Sequence, residues 1–330
     1  MSGTLPSATD IRSAALALEG HAHKTPLLES SLLNERLGLR LLVKSETLQR
    51  TGSFKFRGAY NRISRIPEDQ HGGGVVAYSS GNHAQGVAAA AQMLGLPALI
   101  VMPKDAPAIK VANTRAYGAE VVFYDRFGES REEIAGKIVA ERKATLIRPY
   151  DDPLIIAGQG TVGLEMAGQA RALGTTLDAV LCPCGGGGLV GGTALAMASE
   201  SPFTRIYSVE PAGFDDTARS LAAGERLPNA PGATSFCDAL LTPEPGELTF
   251  KINARLLAGG LRVSDDEVSE AMRVAFKYLK LVVEPGGAVA LAAVLSGQFE
   301  ARGEARGKTV GVILSGGNVD HDVYRTALKG

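Results

Sequence analysis

Four short segments carry the residue types and spacings that chemistry needs. In the first, Ser53-Phe54-Lys55-Phe56-Arg57-Gly58-Ala59 opens a helix after the apolar run and turn of residues 41–52. Ser53 is placed to cap that helix, which puts Lys55 in its first turn. The positive end of the helix dipole disfavours a cation there. With partial burial, the same field lowers the lysine pKa and favours the neutral amine that an imine requires. The competing reading is an exposed lysine with no such role.

The second segment, Ser79-Ser80-Gly81-Asn82-His83-Ala84-Gln85-Gly86, follows an apolar run directly. Small polar residues at a strand-to-helix turn aim backbone N–H groups and hydroxyls at one spot, an arrangement suited to a carboxylate. Simple capping is the alternative, and His83 reads either as a base or as a locally hydrogen-bonded side chain. The third segment holds four consecutive glycines, Gly185-Gly186-Gly187-Gly188, followed by Leu189-Val190-Gly191-Gly192. Such a run lets amides wrap an oxyanion, a phosphate being the natural ligand. A dinucleotide fingerprint is its rival, since Glu210 lies about 20 positions on. The loop lacks the closing Lys-Ser/Thr of a nucleotide P-loop. The fourth segment, Ser315-Gly316-Gly317-Asn318, follows the last apolar run. A ligand carrying a phosphate, a carbonyl and a ring nitrogen would engage all four.

The elements that must position these segments alternate. Apolar runs at 41–45, 75–79, 98–102, 121–124, 145–148, 179–182, 206–209 and 310–314 read as strands. They are continuous and rich in Val, Ile and Leu, as parallel strands covered on both faces are. Helical patterns fall at 86–94, 131–142, 161–172, 189–198 and 267–279. The close alternation of 74–150 predicts a compact lobe, and a second series resumes after Asp152. No fixed-period repeat or long linker divides them.

Composition narrows the class. The 330 residues are 45% hydrophobic and 21% charged, with a formal net charge of −1 and no tryptophan. Nothing here recruits nucleic acid or an anionic membrane. Cys182, Cys184 and Cys237 form no disulfide pattern; Cys182-Pro183-Cys184 reads as a buried strand end using cysteine as a small hydrophobe. With no signal-peptide pattern and no apolar run of the ~18 residues needed to span a bilayer, a soluble cytoplasmic protein is expected.

Taken in order, segments 53–59, 79–86, 150–163, 185–188, 284–288 and 315–320 resemble the fold-type II pyridoxal-5′-phosphate (PLP) enzymes of the serine/threonine dehydratase and serine racemase family. The resemblance covers nearly the whole chain. It implies a tryptophan synthase β-like α/β architecture of two open parallel-sheet lobes with the cofactor between them. Residues 1–72 and 151–330 would form the large PLP-binding domain and 73–150 the small one. By the same resemblance Lys55 is the Schiff-base lysine, Phe54 flanks the ring and Asn82 bonds its 3-hydroxyl. Gly185, Gly186, Gly187 and Gly188 would hold the phosphate, and Ser315 would meet the pyridine nitrogen.

The implied activity is β-elimination of a small β-hydroxy amino acid, such as L-threonine or L-serine, to a 2-keto acid and ammonia. Ser79, Ser80 and Asn82 would hold the α-carboxylate. Racemisation is an alternative, with Ser80 acting opposite Lys55, and a 3-hydroxyaspartate dehydratase another. Arg131 would there serve a second carboxylate, unless it is a solvated helix residue. A non-catalytic PLP-binding protein is the reading from a different class. The family also implies a homodimer, and a Mg²⁺, Mn²⁺ or Ca²⁺ site at Glu210, Asp216 and the carbonyl of Phe214. Acidic residues favouring a helix N-terminus explain those carboxylates equally well. The chain ends soon after Ser315, so no C-terminal regulatory domain is expected. One departure concerns Cys237-Asp238-Ala239, where many dehydratases carry Ala-Asp-Gly, so a differently shaped substrate pocket is expected.

Overall fold

The computed structural model describes residues 4–79, 81–126, 128–300 and 307–329. Ten strands build two sheets among these residues: β1 (Leu27–Glu29), β2 (Arg40–Ser45), β3 (Val75–Tyr78), β4 (Ala98–Pro103), β5 (Glu120–Tyr124), β6 (Thr145–Leu146), β7 (Ala179–Pro183), β8 (Arg205–Pro211), β9 (Gly259–Val263) and β10 (Thr309–Leu314). The larger sheet runs β1-β2-β10-β7-β8-β9 and the smaller β5-β4-β3-β6. All pairings are parallel except β1 with β2. The two strands that the sequence did not reveal, β1 and β9, are edge strands. One is three residues long and the other begins with two glycines.

The continuous apolar runs are explained by helices on both faces. In the larger sheet Leu41, Val43, Leu181 and Val312 pack with the helices Asp265–Val274 and Pro285–Leu295, while Leu42, Val180, Cys182 and Ile313 face Pro153–Ala172 and Gly188–Glu200. Alternate residues point to opposite faces, and each face is a core. The smaller sheet divides likewise, with Val75, Ala77 and Ile100 on one side and Val76, Leu99 and Val101 on the other. All three cysteines are buried and unpaired, and burial pushes the Cys237 thiol up to about 12. No helix among the described residues is long and apolar enough to cross a membrane.

Two long-range relationships set up the cavity. First, β2 and β10 pair from Thr309↔Arg40 to Leu314↔Ser45, so segments far apart in the chain leave the sheet side by side. Second, Pro153–Ala172 is a spine for two other helices. A Cβ on its Gly160 would lie 2.8 Å from the carbonyl oxygen of Gly192, so Gly188–Glu200 packs backbone to backbone against it. Only residues without a side chain permit that approach.

A buried charge network fixes the helix Lys55–Ile63 below its first turn. Arg57 grips Glu46 through Nε and Nη2, both at 2.8 Å, and reaches Glu165 at 2.7 Å. Lys44 adds a second cation to Glu165 at 2.7 Å. Two cations face two carboxylates, so the network is neutral as a whole, the condition under which buried ions persist. Burial alone would raise the Glu46 pKa, yet the Arg57 charge and hydrogen bonds hold it below its ordinary value.

Candidate active site

Lys55 is the first residue of its helix, and the capping position is Phe54 rather than Ser53. The expected Ser53 cap does not form. Ser53 is drawn into an isolated antiparallel bridge with Gly316, and its buried Oγ makes no hydrogen bond. The Phe54 amide donates to the Ser315 carbonyl at 3.1 Å, which pins the lysine turn to the end of β10. Lys55 Nζ donates to the Pro149 carbonyl at 2.8 Å. Burial pushes this amine down to about 8, against the opposing pull of Glu284. A lysine so placed gives up its proton far more readily than an exposed one and is neutral from mildly alkaline pH upward.

Gly185 to Gly188 lie in the same cavity wall. Thr249 Oγ1 donates to the Gly186 carbonyl at 2.6 Å, and Asn253 Nδ2 donates to that of Gly187 at 3.5 Å. In a planar trans peptide the N–H points opposite its carbonyl. The amides of Gly187 and Gly188 are thereby turned away from Thr249 and Asn253, towards the cavity. Gly185, Gly186 and Gly187 donate no amide hydrogen bond to any described residue. Gly187 adopts φ +89°, and a Cβ on Gly186 would sit 2.4 Å from ring atoms of Tyr150. Unpaired amides in a loop where side chains do not fit form an anion cradle. A phosphate-bearing cofactor fits it.

Phe54, Ser79, Asn82, Arg131 and Ser315 line this cavity with Lys55. Ser80 lies outside the described residues. Asn82 donates through its side-chain amide to Glu284 Oε1, while its Oδ1 accepts from Asn318 Nδ2 at 2.9 Å. His83 Nε2 bonds the Ile147 carbonyl at 3.0 Å. Burial, aided by the Lys55 charge, drives its pKa down to about 3 and keeps the ring neutral. The Arg131 guanidinium stands 5.2 Å from the centroid of the Tyr78 ring and bonds Glu132 Oε1 at 2.8 Å. In the departing segment Asp238 and Ala239 also line the cavity. A Cβ on Gly286 would lie 3.2 Å from that of Ala239, so the Ala239 methyl packs against the start of Pro285–Leu295.

Glu210, Phe214 and Asp216 do not line that cavity. The Glu210 oxygens accept from the amides of Thr217 at 2.9 Å and Ala218 at 2.8 Å, in the first turn of the helix Asp216–Ala223. Asp216 Oδ1 accepts from Asn229 at 2.8 Å, and its Oδ2 is buried without a partner. Burial raises the pKa of both carboxyls, that of Asp216 to about 6. No group of three or more His, Cys, Asp or Glu that could hold a metal occurs among the described residues.

Sequence reasoning missed Lys110, and gave Tyr150 and Glu284 no individual role. All three are at or beside the cavity. Lys110 belongs to the helix Ala108–Ala116, whose nine residues are too few for a strong periodic signal.

A family profile described as pyridoxal-phosphate dependent enzyme matches residues 18–316. The L-threo-3-hydroxyaspartate ammonia-lyase of Pseudomonas sp is 47% identical, with 99% of both chains covered. The crystal structure of a threonine deaminase from T.th. superposes with a TM-score of 0.88 at 48% identity, covering 96% of this chain and 99% of the other. Maize serine racemase gives a TM-score of 0.92 at 38% identity, covering 99% and 98%. The chain therefore belongs to the pyridoxal-phosphate dependent enzymes and has their fold-type II architecture.

Proposed function

We propose that this chain removes water and ammonia from a small β-hydroxy amino acid, and that L-threo-3-hydroxyaspartate is its preferred substrate. The observation that carries the choice is Arg131, which lines the same cavity as Lys55. A second substrate carboxylate there would meet a fixed planar cation suited to bidentate pairing. The Pseudomonas relative's name supports the same choice.

PLP, when bound, supplies the electron sink for the pair left on the substrate Cα. The chain's own residues do the rest. The Gly185–Gly188 amides would hold the phosphate, and Phe54 would flank the ring. Ser315 would offer the ring nitrogen a neutral hydroxyl rather than a carboxylate, a partner that does not require its protonation. Ser79 and Asn82, with Ser80 of the same segment, would orient the α-carboxylate, and Asn82 would also bond the 3-hydroxyl of the cofactor ring. Lys55, with its amine near neutrality, takes the α-proton. The released product hydrolyses to a 2-keto acid and ammonia.

Away from this cavity, Glu210, Asp216 and the Phe214 carbonyl hold a hard divalent cation. The unpartnered Asp216 Oδ2 supports this placement, as does the Asp216 charge that adds to the cost of ionising the buried Glu210. The ion's role is structural.

The test is the holoenzyme assayed with L-threo-3-hydroxyaspartate, L-threonine, L-serine and D-serine, scored for keto acid, ammonia and inversion. Hydroxyaspartate should give the highest kcat/KM. Arg131→Met should lower that value ~100-fold, the scale of a lost charged hydrogen bond, and leave L-serine within about threefold. Equal loss on both substrates removes Arg131 from the reading. No ammonia from any of them removes the lyase reading itself.

A further inference from the structure

Lys110 is buried, yet it comes from a helix packed on the smaller sheet and pairs with carboxylates carried by the larger one. Its Nζ lies 2.7 Å from Asp238 Oδ2 and 3.1 Å from Glu284 Oε2. Glu284, at the start of Pro285–Leu295, accepts from the Asn82 amide with its other oxygen. Asn318 closes the chain of contacts, donating to Asn82 Oδ1 at 2.9 Å and to the Thr51 carbonyl at 2.7 Å. The lysine stem is held as closely as its head. A Cβ on Gly81, the residue before Asn82, would fall 2.2 Å from Lys110 Cδ.

From this geometry we infer that Lys110 is a positioning residue, which sets the Asn82 side-chain amide at the cofactor by keeping Glu284 ionised and oriented. An ionised Glu284 can only accept, so Asn82 must turn its N–H₂ to Glu284 and its oxygen to Asn318. Without Lys110, the buried Glu284 faces the partly exposed Asp238 with no cation. Glu284, whose burial already favours the neutral acid, then takes a proton. A protonated Glu284 can donate, and the Asn82 amide loses the constraint on its orientation. The same contact joins elements of the two sheets beside the cavity.

This inference rests on Asn82 being a cofactor contact, and Asn82→Ala tests that assignment separately. The main experiment is a double-mutant cycle on the cofactor affinity of the apo-protein, read by fluorescence titration with PLP, and on the absorbance band of the loaded protein. Lys110→Met alone should weaken PLP binding about tenfold, one lost charge-assisted contact. Glu284→Gln alone should do the same, because Lys110 then draws the glutamine oxygen and leaves its N–H₂ facing the Asn82 donor. In the double variant the glutamine is free to accept from Asn82 and donate to Asp238, so affinity and band should return to within about threefold of the parent. A double variant as weak as the product of the single effects would show a mere tether and overturn the inference, as would single variants with unchanged affinity. If Lys110→Met does not fold, Gly81→Ala displaces the lysine without removing its charge, and unchanged PLP affinity in that variant overturns the inference too. Should Asn82→Ala alone leave affinity and band untouched, the Asn82 assignment falls instead.

Discussion

Gly158 lies directly against Gly58: a Cβ on Gly158 would stand 2.7 Å from the Gly58 Cα and 2.6 Å from the Arg57 carbonyl oxygen. Gly58 is three residues after Lys55, one turn along the same helix. This contact sets how deeply the lysine helix seats on Pro153–Ala172. Gly158→Ala should push the helix outward and cost about 1–3 kcal/mol, the usual range for overpacking. Gly136→Ala, on an exposed helix face where the added methyl meets nothing, should instead stabilise by about 0.5–1 kcal/mol. Urea melts of the two variants check the contrast, and a Gly158→Ala protein as stable as the parent would refute the contact's importance.

Lys55→Ala should abolish covalent cofactor attachment and lyase activity together. The Lys55 amine, pushed down to about 8, also sets the pH dependence of cofactor uptake by the apo-protein. Below that value the amine is protonated and not nucleophilic, so the uptake rate should fall about tenfold per pH unit; above it the rate should level off. Stopped-flow absorbance on either side of that value reads this directly. Borohydride reduction and peptide mapping that label another lysine would dismiss Lys55.

Ser80→Ala should remove any inversion or activity on D-amino acids while most elimination of L-substrates survives, because Lys55 serves only one face of the cofactor. Chiral chromatography alongside ammonia release separates the two. Equal loss of both would show that Ser80 holds substrate or cofactor instead.

Chelation should lower the melting temperature, and Mg²⁺, Mn²⁺ or Ca²⁺ should restore it, because Glu210 and Asp216 would otherwise face each other without a counter-charge. Asp216→Asn keeps an oxygen for the Asn229 contact and removes that repulsion. It should therefore melt at the same temperature with and without EDTA, with its PLP absorbance intact. A metal-free parent that melts unchanged would sink the cation site.

The parallel strands were legible because a strand covered on both faces must be apolar at every position. Leu41, Leu42 and Val43 show this, pointing alternately into two cores. The four glycines from Gly185 were legible because a run without side chains marks a backbone open to an anion, and segments 79–82 and 315–318 because small polar residues directly follow apolar runs. By the same token β9, opening on Gly259-Gly260, carries no strand signal of its own. Its partner β8 supplies the order that its own residues do not.

What the residues alone settled, then, was local: the alternation of strands and helices, the glycine cradle and the lysine at a helix start. The family pattern of these segments assigned the chemistry. Only the tertiary structure decided that β2 lies beside β10, which carries Phe54 to Ser315, and that the Ser53 cap gives way to a bridge with Gly316. Lys110 was invisible for the same reason. In a short helix a lysine reads as solvated, and its carboxylate partners at Asp238 and Glu284 are more than a hundred residues away. A charge is read from sequence, but its burial and its partners are set by whatever the remote chain packs against it.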